Sequence, residues 1–184
     1  YQKVSGLYIV TTKKETYFLA DTTVNPDPTA ETLCDITLQA EEFVRNFDIK
    51  PRIAMLAYSN FGSAPGITSE KVQKALALIK EKKPDLVIDG EMQADTAVSP
   101  DIIEEYFPFS PLKEGANVLI FPNLNSGNIS YKLLQRIGGA HLIGPVLQGL
   151  SKAVHVLQRG SEINHIIDMV GIAVVDAQHK AGIN

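Results

Sequence analysis

The residue best suited to chemistry is an arginine that precedes the last helical pattern of the chain. Arg159 stands in the sequence Gln-Arg-Gly-Ser, directly before a segment with helical periodicity. A guanidinium group beside a helix N-terminus holds a phosphate or a carboxylate well, because free N–H groups and the helix dipole both favour negative charge. Taken alone, Arg159 fits a solvated surface arginine equally well.

Two polar loops offer further groups that can bind an anion. The first, residues 58–68, contains Ser59, Asn60 and Ser63 and leads into a helical pattern, so its backbone N–H groups are candidate phosphate ligands. The second, from Asn123 to Asn128, separates a buried strand pattern from a helix that carries apolar Ile129, Leu133, Leu134 and Ile137. An ordinary polar turn with a helix cap explains either loop as well. Neither loop matches a P-loop or a Gly-x-Gly-x-x-Gly motif.

The remaining reactive side chains favour structural roles. His165 lies about one turn into the last helical pattern among isoleucines, which favours a partly buried structural histidine over a general base. His155 alternates with valines as a strand residue does. Three carboxylates follow a turn marked by glycine without the converging oxygens of a hard-cation site, so no metal is predicted: Asp89, Glu91 and Asp95. Cys34 fits a buried hydrophobe better than a reactive thiol.

The elements that must position these residues alternate between strands and helices. Strands are predicted at residues 7–10, 17–20, 53–57, 86–88, 118–121, 142–147 and 153–157. Helices are predicted from an Asp27 cap to about residue 47, after residue 68, from Ser99 to residue 106, after Asn128, and from a Ser161 cap onward. The pattern predicts an α/β fold, a three-layer sheet with helices on both faces, mostly parallel with an antiparallel N-terminal hairpin.

Composition limits the possible partners. The chain has 184 residues and a formal net charge of -4, with no basic stripe, which argues against binding nucleic acid. No segment is long and apolar enough to cross a bilayer and no signal peptide opens the sequence, so we expect a cytoplasmic protein without a membrane partner. The chain begins at Tyr1, and we expect it to be a piece of a longer protein.

Five stretches together resemble the phosphate acetyl/butyryl transferase family across essentially the whole chain. They lie at residues 18–31, 54–64, 84–95, 116–133 and 143–150. The resemblance implies an isocitrate/isopropylmalate dehydrogenase-like fold of two lobes. Residues 1–145 are then the second lobe, and residues 146–184 are a C-terminal strand and helix that return to the first lobe, most of which is missing.

Two details resemble a subgroup, the acyltransferase-like C-terminal region of large bacterial NADP-dependent malic enzymes. They are Gly-Glu-Met at residues 90–92 and the tail that runs from Val154 through residue 178. This resemblance implies that NADP and a divalent metal, Mg or Mn, bind in the missing N-terminal part, and that this segment holds no cofactor. It also implies contacts with the parent's own malic-enzyme domains and a homo-oligomer.

The resemblance carries a mechanism, from which this sequence departs. In the family, a Ser-Arg-Gly corner precedes the last helix, and an aspartate on that helix is thought to deprotonate the coenzyme A thiol, whose thiolate attacks acetyl phosphate. Arg159 and Gly160 match, whereas Gln158 replaces the serine and His165 occupies the aspartate position. A histidine can act as a base near neutral pH, but the loss of both the serine and the aspartate favours a domain that no longer catalyses acyl transfer.

The resemblance therefore implies a regulatory domain that binds acetyl-CoA or a related acyl-CoA. The implied ligand-binding residues are Ser59, Asn60, Ser63, Asn123, Asn128, Gln148 and Arg159. No residue is assigned as catalytic. A working phosphate acetyltransferase and a dimerisation platform with a vestigial cleft are the two alternatives.

Overall fold

A six-stranded mixed sheet forms the centre of the molecule. The computed structural model describes residues 3–183. The strands are β1 (Ser5–Thr11), β2 (Thr16–Ala20), β3 (Ile53–Leu56), β4 (Ile88–Met92), β5 (Val118–Ile120) and β6 (His141–Gln148), in the spatial order β4-β3-β5-β2-β1-β6. β1 runs antiparallel to both of its neighbours, β2 and β6, while the other pairings are parallel. The predicted mostly parallel sheet with an antiparallel N-terminal hairpin is confirmed.

Helices cover both faces of this sheet. They are α1 (Ala30–Arg45), α2 (Ile67–Lys82), α3 (Ala94–Val98), α4 (Pro100–Tyr106), α5 (Leu124–Arg136) and α6 (Ile163–Lys180). Buried residues of α1, α2 and α6 join the core on one face, whereas buried residues of α3, α4 and α5 join the core on the other face. The three-layer prediction is therefore confirmed.

Strand β1 shows why the central strands lack polar alternation. Leu7 and Ile9 belong to the core on the α1 side, while Tyr8 and Val10 belong to the core on the α5 side. A strand that is covered on both faces needs apolar side chains at every position. The same condition explains the apolar runs of β3 and β5, which were placed correctly from the sequence.

The boundaries of α1 and β4 differ from the prediction. Helix α1 begins at Ala30, and its cap is Thr29, whose hydroxyl accepts a hydrogen bond from the backbone N–H of Thr32 at 3.3 Å, so the predicted Asp27 cap is wrong. Strand β4 begins at Ile88 and contains both Asp89 and Gly90. The predicted turn at Gly90 is therefore wrong, and the polar residues around it are strand residues.

The segment before α6 is not the predicted strand. Residues 153–157 form no regular element in the structure. Val154 and Val156 are exposed, whereas the side chain of His155 turns inward and accepts the backbone N–H of Leu147 at 3.2 Å on its Nδ1. One inward histidine between two outward valines gives the alternating side-chain directions of a strand, although this segment does not pair with a neighbouring strand.

The apolar residues that mark the last two helices in the sequence are exposed in the structure. Helix α5 begins at Leu124, not after Asn128, and the helix cap before α6 is Glu162 rather than Ser161. In α6 the buried residues are Met169, Ile172 and Asp176. We call the exposed apolar row of this helix the outer face of α6: Ile163, Ile166, Ile167, Val170 and Val174. The apolar residues of α5 are exposed as well: Ile129, Leu133, Leu134 and Ile137.

None of the helices within residues 3–183 combines the length and the apolar character that a bilayer-spanning segment requires.

Candidate functional site

The carboxyl ends of the parallel strands meet at one edge of the sheet. The turn after β2, the loop after β3 and the corner after β5 follow neighbouring strands, and β6 ends at the same edge because β1 reverses direction between β2 and β6. Ligands of open α/β sheets bind at this kind of edge. Five of the predicted ligand residues follow strands that end here and Gln148 is the last residue of β6, whereas Arg159 follows none of these strand ends directly.

The loop after β3 uses its backbone N–H groups internally. The N–H of Asn60 donates to Ser63 Oγ, that of Ser63 donates to the Asn60 carbonyl, and that of Ala64 donates to Ser59 Oγ. The N–H groups of Phe61 and Gly62 donate to the backbone carbonyl and to the Oε1 of Glu91, respectively. Five consecutive N–H groups therefore already have partners within the protein, which favours the alternative of an ordinary polar turn over a phosphate site on these groups.

Glu91 is the anion that this loop binds. Its carboxylate is fully buried and accepts Ser59 Oγ at 2.7 Å, the Gly62 N–H at 2.8 Å and Gln73 Nε2 at 2.8 Å. Burial by itself raises the pKa of Glu91, but the hydrogen bonds from Ser59, Gly62 and Gln73 together outweigh it and leave the pKa lowered. The carboxylate is therefore ionised at neutral pH without a cationic partner among residues 3–183.

The three residues of this loop that were predicted to bind a ligand therefore differ in whether their side chains can still contact one. Ser59 is fully buried and its hydroxyl is committed to Glu91. Asn60 pairs with Gln93, accepting its backbone N–H at 2.8 Å and donating Nδ2 to its side-chain oxygen at 3.2 Å. Ser63 is exposed; its hydroxyl accepts the Asn60 N–H and lies 3.4 Å from Ser59 Oγ, so a ligand can reach this side chain only in competition with a long contact inside the loop.

The corner after β5 is organised by the turn after β2. Asn123 caps α5, since its Oδ1 accepts the N–H of Ser126 at 3.0 Å, and Asn128 Nδ2 donates to the Thr22 carbonyl at 3.2 Å. The buried carboxylate of Asp21 accepts four backbone N–H groups: those of Gly6, Thr23, Val24 and Asn25. Both edge loops are thus built around a buried carboxylate: Asp21, which follows β2, and Glu91, which lies inside β4.

Gln148, at the end of β6, lies on the α1 side of the sheet. It is buried, its Oε1 lies 3.4 Å from Ser5 Oγ, and its Nε2 has no partner within the described residues. It lines a cavity of about 410 Å³ between α1, β6 and α6, together with Gln39 and Lys180. This cavity contains none of the other predicted ligand residues.

Arg159 lies in a different cavity, of about 470 Å³, that is rich in cations. Its lining includes Lys132 and Arg136 from α5 and His165 from α6. Neither Arg136 nor Arg159 forms an ion pair with any described residue. Unpaired guanidinium groups around one concave space favour an anionic ligand. Each group alone is an ordinary surface cation, and only their convergence supports binding.

The floor of this cavity is aromatic. The rings of Tyr8 and Tyr131 stack at a centroid distance of 4.1 Å. Burial, followed by the hydrogen bond and charge of Tyr131, raises the pKa of Tyr8, so its hydroxyl stays neutral. Gln158 Nε2 donates to that hydroxyl at 2.8 Å, which fixes the segment before α6 to the sheet.

The structure thus separates Arg159 from Asn123. Lys132 and Arg136, which share the Arg159 cavity, stand 9 and 13 residues after Asn123. At about 1.5 Å of rise per residue, they lie roughly 14 to 20 Å along α5 from its N-terminal cap. These two predicted ligand residues therefore do not line the same cavity, whereas Arg159 and His165 do.

Sequence reasoning missed the residues that organise the edge. Glu91 was considered as a metal ligand and as part of the Gly-Glu-Met motif, and Asp21 was assigned no role. The one available signal was a carboxylate directly after an apolar strand pattern, a position that faces the ends of neighbouring loops. No group of three or more His, Cys, Asp or Glu side chains in residues 3–183 is arranged to hold a metal ion.

Two other residues have the structural surroundings that the sequence favoured. Cys34 is fully buried, and burial raises the pKa of its thiol, which makes it unreactive. The nearly buried side chain of His155 places its Nε2 3.2 Å from Asp176. His155 therefore has a structural position, as predicted.

Comparison with known proteins gives one family and two kinds of relative. The family model described as phosphate acetyl/butaryl transferase matches residues 1–174. An NADP-dependent malic enzyme from Escherichia coli is 47% identical over 163 residues, which are 88% of this chain and 21% of that enzyme. A phosphate acetyltransferase from Bacillus subtilis is 40% identical over 176 residues, 96% of this chain and 54% of that protein.

The solved structures agree with the fold. A phosphotransacetylase from Streptococcus pyogenes superposes with a TM-score of 0.90 at 38% identity, covering 98% of this chain and 55% of that one. The chain therefore spans about a fifth of the malic enzymes and about half of the Bacillus and Streptococcus proteins that it matches.

Proposed function

Since the chain belongs to the phosphate acetyl/butaryl transferase family, we propose that it is the acyl-CoA-binding regulatory domain at the C-terminus of an NADP-dependent malic enzyme. The parent enzyme decarboxylates malate oxidatively to pyruvate and CO2, with NADP and Mg or Mn bound in its N-terminal part. It is a cytoplasmic homo-oligomer in which this domain contacts the malic-enzyme domains. The higher identity to malic enzymes, 47% against 40% for the Bacillus transferase, supports this parent.

The observation that supports the proposal most directly is the hydrogen bond between Gln158 and Tyr8. At the position of the family's serine, the amide of Gln158 holds the hydroxyl of Tyr8 at 2.8 Å, so this side chain contributes to packing. At the position of the family's aspartate, His165 lines the Arg159 cavity and supplies no carboxylate. A site that keeps its cations but lacks the thiol-activating carboxylate is suited to binding without acyl transfer.

The ligand we propose is an acyl-CoA such as acetyl-CoA, held through its phosphate groups. Lys132, Arg136 and Arg159 supply positive charge around a cavity of about 470 Å³, a volume typical of small-molecule sites. The Tyr8 and Tyr131 rings provide an apolar floor. Polar side chains at the carboxyl edge of the sheet, Ser63 and Asn123 among them, are available to the remainder of the ligand.

Regulation requires that the ligand distinguish two states of the assembly. An acyl-CoA changes the activity of the malic-enzyme domains only if it binds one arrangement of the domains more tightly than another. The direction of regulation follows from which arrangement is the more active one.

The test uses the intact protein that carries this chain. We expect acetyl-CoA to bind in calorimetry, and acetyl phosphate with coenzyme A to give no acetyl-CoA in a turnover assay. Arg159→Ala should abolish binding, while Lys14→Ala, which removes an exposed cation from the β1–β2 hairpin tip, should leave it unchanged. Absence of acetyl-CoA binding to the unmodified protein would leave a domain that serves only assembly.

A working phosphate acetyltransferase is the second candidate. The retained Arg159-Gly160 pair and the 40% identity to the Bacillus enzyme favour it, and the imidazole of His165, which lines the Arg159 cavity, is the candidate base. Turnover by the unmodified protein that Arg159→Ala abolishes would establish this function. If the domain is silent because of its two departures, the double variant Gln158→Ser with His165→Asp should gain measurable transfer.

A further inference from the structure

The carboxylate of Glu91 has no role in the function proposed above, yet it is the most completely enclosed charge at the carboxyl edge. We propose that Glu91 is a positioning residue, an internal anion that gives residues 59–64 their shape before any ligand arrives. The proposal rests on the hydrogen-bond geometry of the loop. Only the predicted effect of Glu91 on ligand binding depends on the proposed function.

The first support is the convergence of donors from separate parts of the chain. Ser59 and Gly62 come from the loop after β3, and Gln73 comes from the second turn of α2. Each places a donor within 2.8 Å of the Glu91 carboxylate, although Glu91 is 18 to 32 residues away along the chain. Hydrogen bonds to an ionised acceptor are about twice as strong as those between neutral groups, so the carboxylate joins β4, the loop and α2 firmly.

The second support is the backbone conformation of the loop. Phe61 and Gly62 both have positive φ values, of 49° and 85°. The left-handed region is unfavourable for a phenylalanine, so surrounding contacts must hold it there. The ring of Phe61 packs 4.9 Å from the rings of Phe107 and Phe109, and its N–H donates to the Glu91 carbonyl. This conformation places the Gly62 N–H on Glu91 Oε1.

The consequence is a preformed loop. Because Glu91 occupies the place that a bound anion would take, the loop is organised in the absence of ligand, and less ordering entropy is lost on binding. Ser63 and Asn60 then lie at fixed positions at the edge, where an acyl-CoA can meet their side chains. Removing the carboxylate leaves the buried hydroxyl of Ser59 and the partly buried donors of Gly62 and Gln73 without their acceptor.

The experiment combines Glu91→Ala with chemical rescue in the intact protein. Alanine leaves a space lined by three donors that added formate or acetate can fill. Amide hydrogen exchange of residues 60–64 should accelerate by about 10- to 100-fold in Glu91→Ala, the range expected from losing charge-assisted hydrogen bonds, and should slow again with formate. Chloride at the same ionic strength should not restore it.

A second variant covers the case in which Glu91→Ala fails to fold. Glu91→Gln keeps one oxygen for Ser59 and Gly62, and Gln73 can turn its amide so that its oxygen accepts from the new side chain. Exchange in the loop should increase less than in the alanine variant and should not respond to formate, because the space is filled. Glu81→Gln, which changes an exposed carboxylate on α2, is the matched control and should alter nothing.

The outcomes separate this proposal from the proposed function. Loop exchange that is unchanged in both Glu91 variants, or that rises equally throughout the sheet and ignores formate, would overturn the positioning role. If the unmodified protein binds acetyl-CoA, its affinity should fall about tenfold in Glu91→Ala and recover with formate. If the unmodified protein does not bind acetyl-CoA, the proposed function fails, while the exchange data still decide the role of Glu91.

Discussion

Replacing Gly127 with alanine tests how tightly the start of α5 packs against the turn after β2. Gly127 is buried in the first turns of α5, and a Cβ built on its backbone comes closer than 3.0 Å to the carbonyl oxygen of Asp21. The same atom lies 3.3 Å from the Asp21 carbonyl carbon and 3.4 Å from Phe121 Cβ. The nearest neighbours are backbone atoms, so relief requires the turn or the helix to shift.

Two opposing effects set the magnitude. Alanine stabilises the interior of a helix by about 1 kcal/mol relative to glycine. Overpacking costs about 1 to 3 kcal/mol, and a clash with backbone belongs at the upper end of that range. The clash therefore wins, and we expect Gly127→Ala to lower the free energy of unfolding by about 2 kcal/mol, using the difference between these two values.

Gly171 provides the matched control, since it also lies inside a helix, α6. A Cβ at Gly171 meets nothing within 4 Å, so Gly171→Ala should raise the free energy of unfolding by about 0.5 to 1 kcal/mol. Urea unfolding of the 184-residue chain followed by circular dichroism measures both variants. A Gly127→Ala variant as stable as Gly171→Ala would refute the close contact between α5 and Asp21.

Three further predictions concern single contacts. Asn123→Ala removes the cap of α5 and should lower the free energy of unfolding by about 1 kcal/mol, measured by urea titration, whereas an unchanged midpoint would contradict the cap. Burial lowers the pKa of His155 despite the nearby Asp176, so the unfolded chain takes up the proton first, at its ordinary pKa of about 6.5. Stability should therefore fall as the pH drops below that value, and His155→Gln should flatten this dependence in thermal melts from neutral to mildly acidic pH. Burial raises the pKa of Glu41, but the hydrogen bonds and charges of Lys83 and Arg45 outweigh burial and leave this pKa lowered in the folded protein. The ionised Glu41 therefore stabilises the fold fully above the pKa that this residue has in the unfolded chain. This stabilisation is lost as the pH falls through the lowered pKa of the folded state. Glu41→Gln should cost about 1 to 3 kcal/mol at neutral pH and reduce the loss of stability in acid, and an equally acid-sensitive variant would contradict this.

The elements that were predicted correctly are those whose side chains report their surroundings directly. The runs of β3 and β5 are apolar at every position because both faces of the sheet are covered, and such runs cannot be solvated loops. The helical pattern of α1 has buried residues such as Leu33 and Val44 on its inner face. These features depend on the spacing of apolar residues along a short segment, which can be read from the sequence directly.

The parts that were not predicted depend on partners far along the chain. The N–H groups of residues 60–64 looked available for a phosphate because two of them donate to Glu91, which lies about 30 residues later in a strand that reads as a turn. The other three donate to acceptors inside the loop, which only its folded conformation brings close. Gly90 and two neighbouring acids gave β4 a polar pattern although both acids are buried in the folded protein. Tertiary contacts override local propensity at such positions.

The candidate ligand residues show the same division. The position of Arg159 at a helix start was visible in the sequence, but its neighbours Lys132 and Arg136 on α5 were not, because only the packing of α5 and α6 brings them together. The separation of Arg159 from Asn123 likewise follows from the length of α5, not from either motif.

The outer face of α6 has a practical consequence for handling the protein. Ile163, Ile167, Val170 and Val174 present branched hydrocarbon to water along most of the helix. Each side chain of this size gains about 1.5 to 3 kcal/mol when it is removed from water completely. The chain should therefore enhance the fluorescence of the dye ANS, be retained on a phenyl column, and precipitate at modest ammonium sulfate concentration. Exchanging Ile167 and Val170 for glutamine should diminish all three behaviours while leaving the sheet intact.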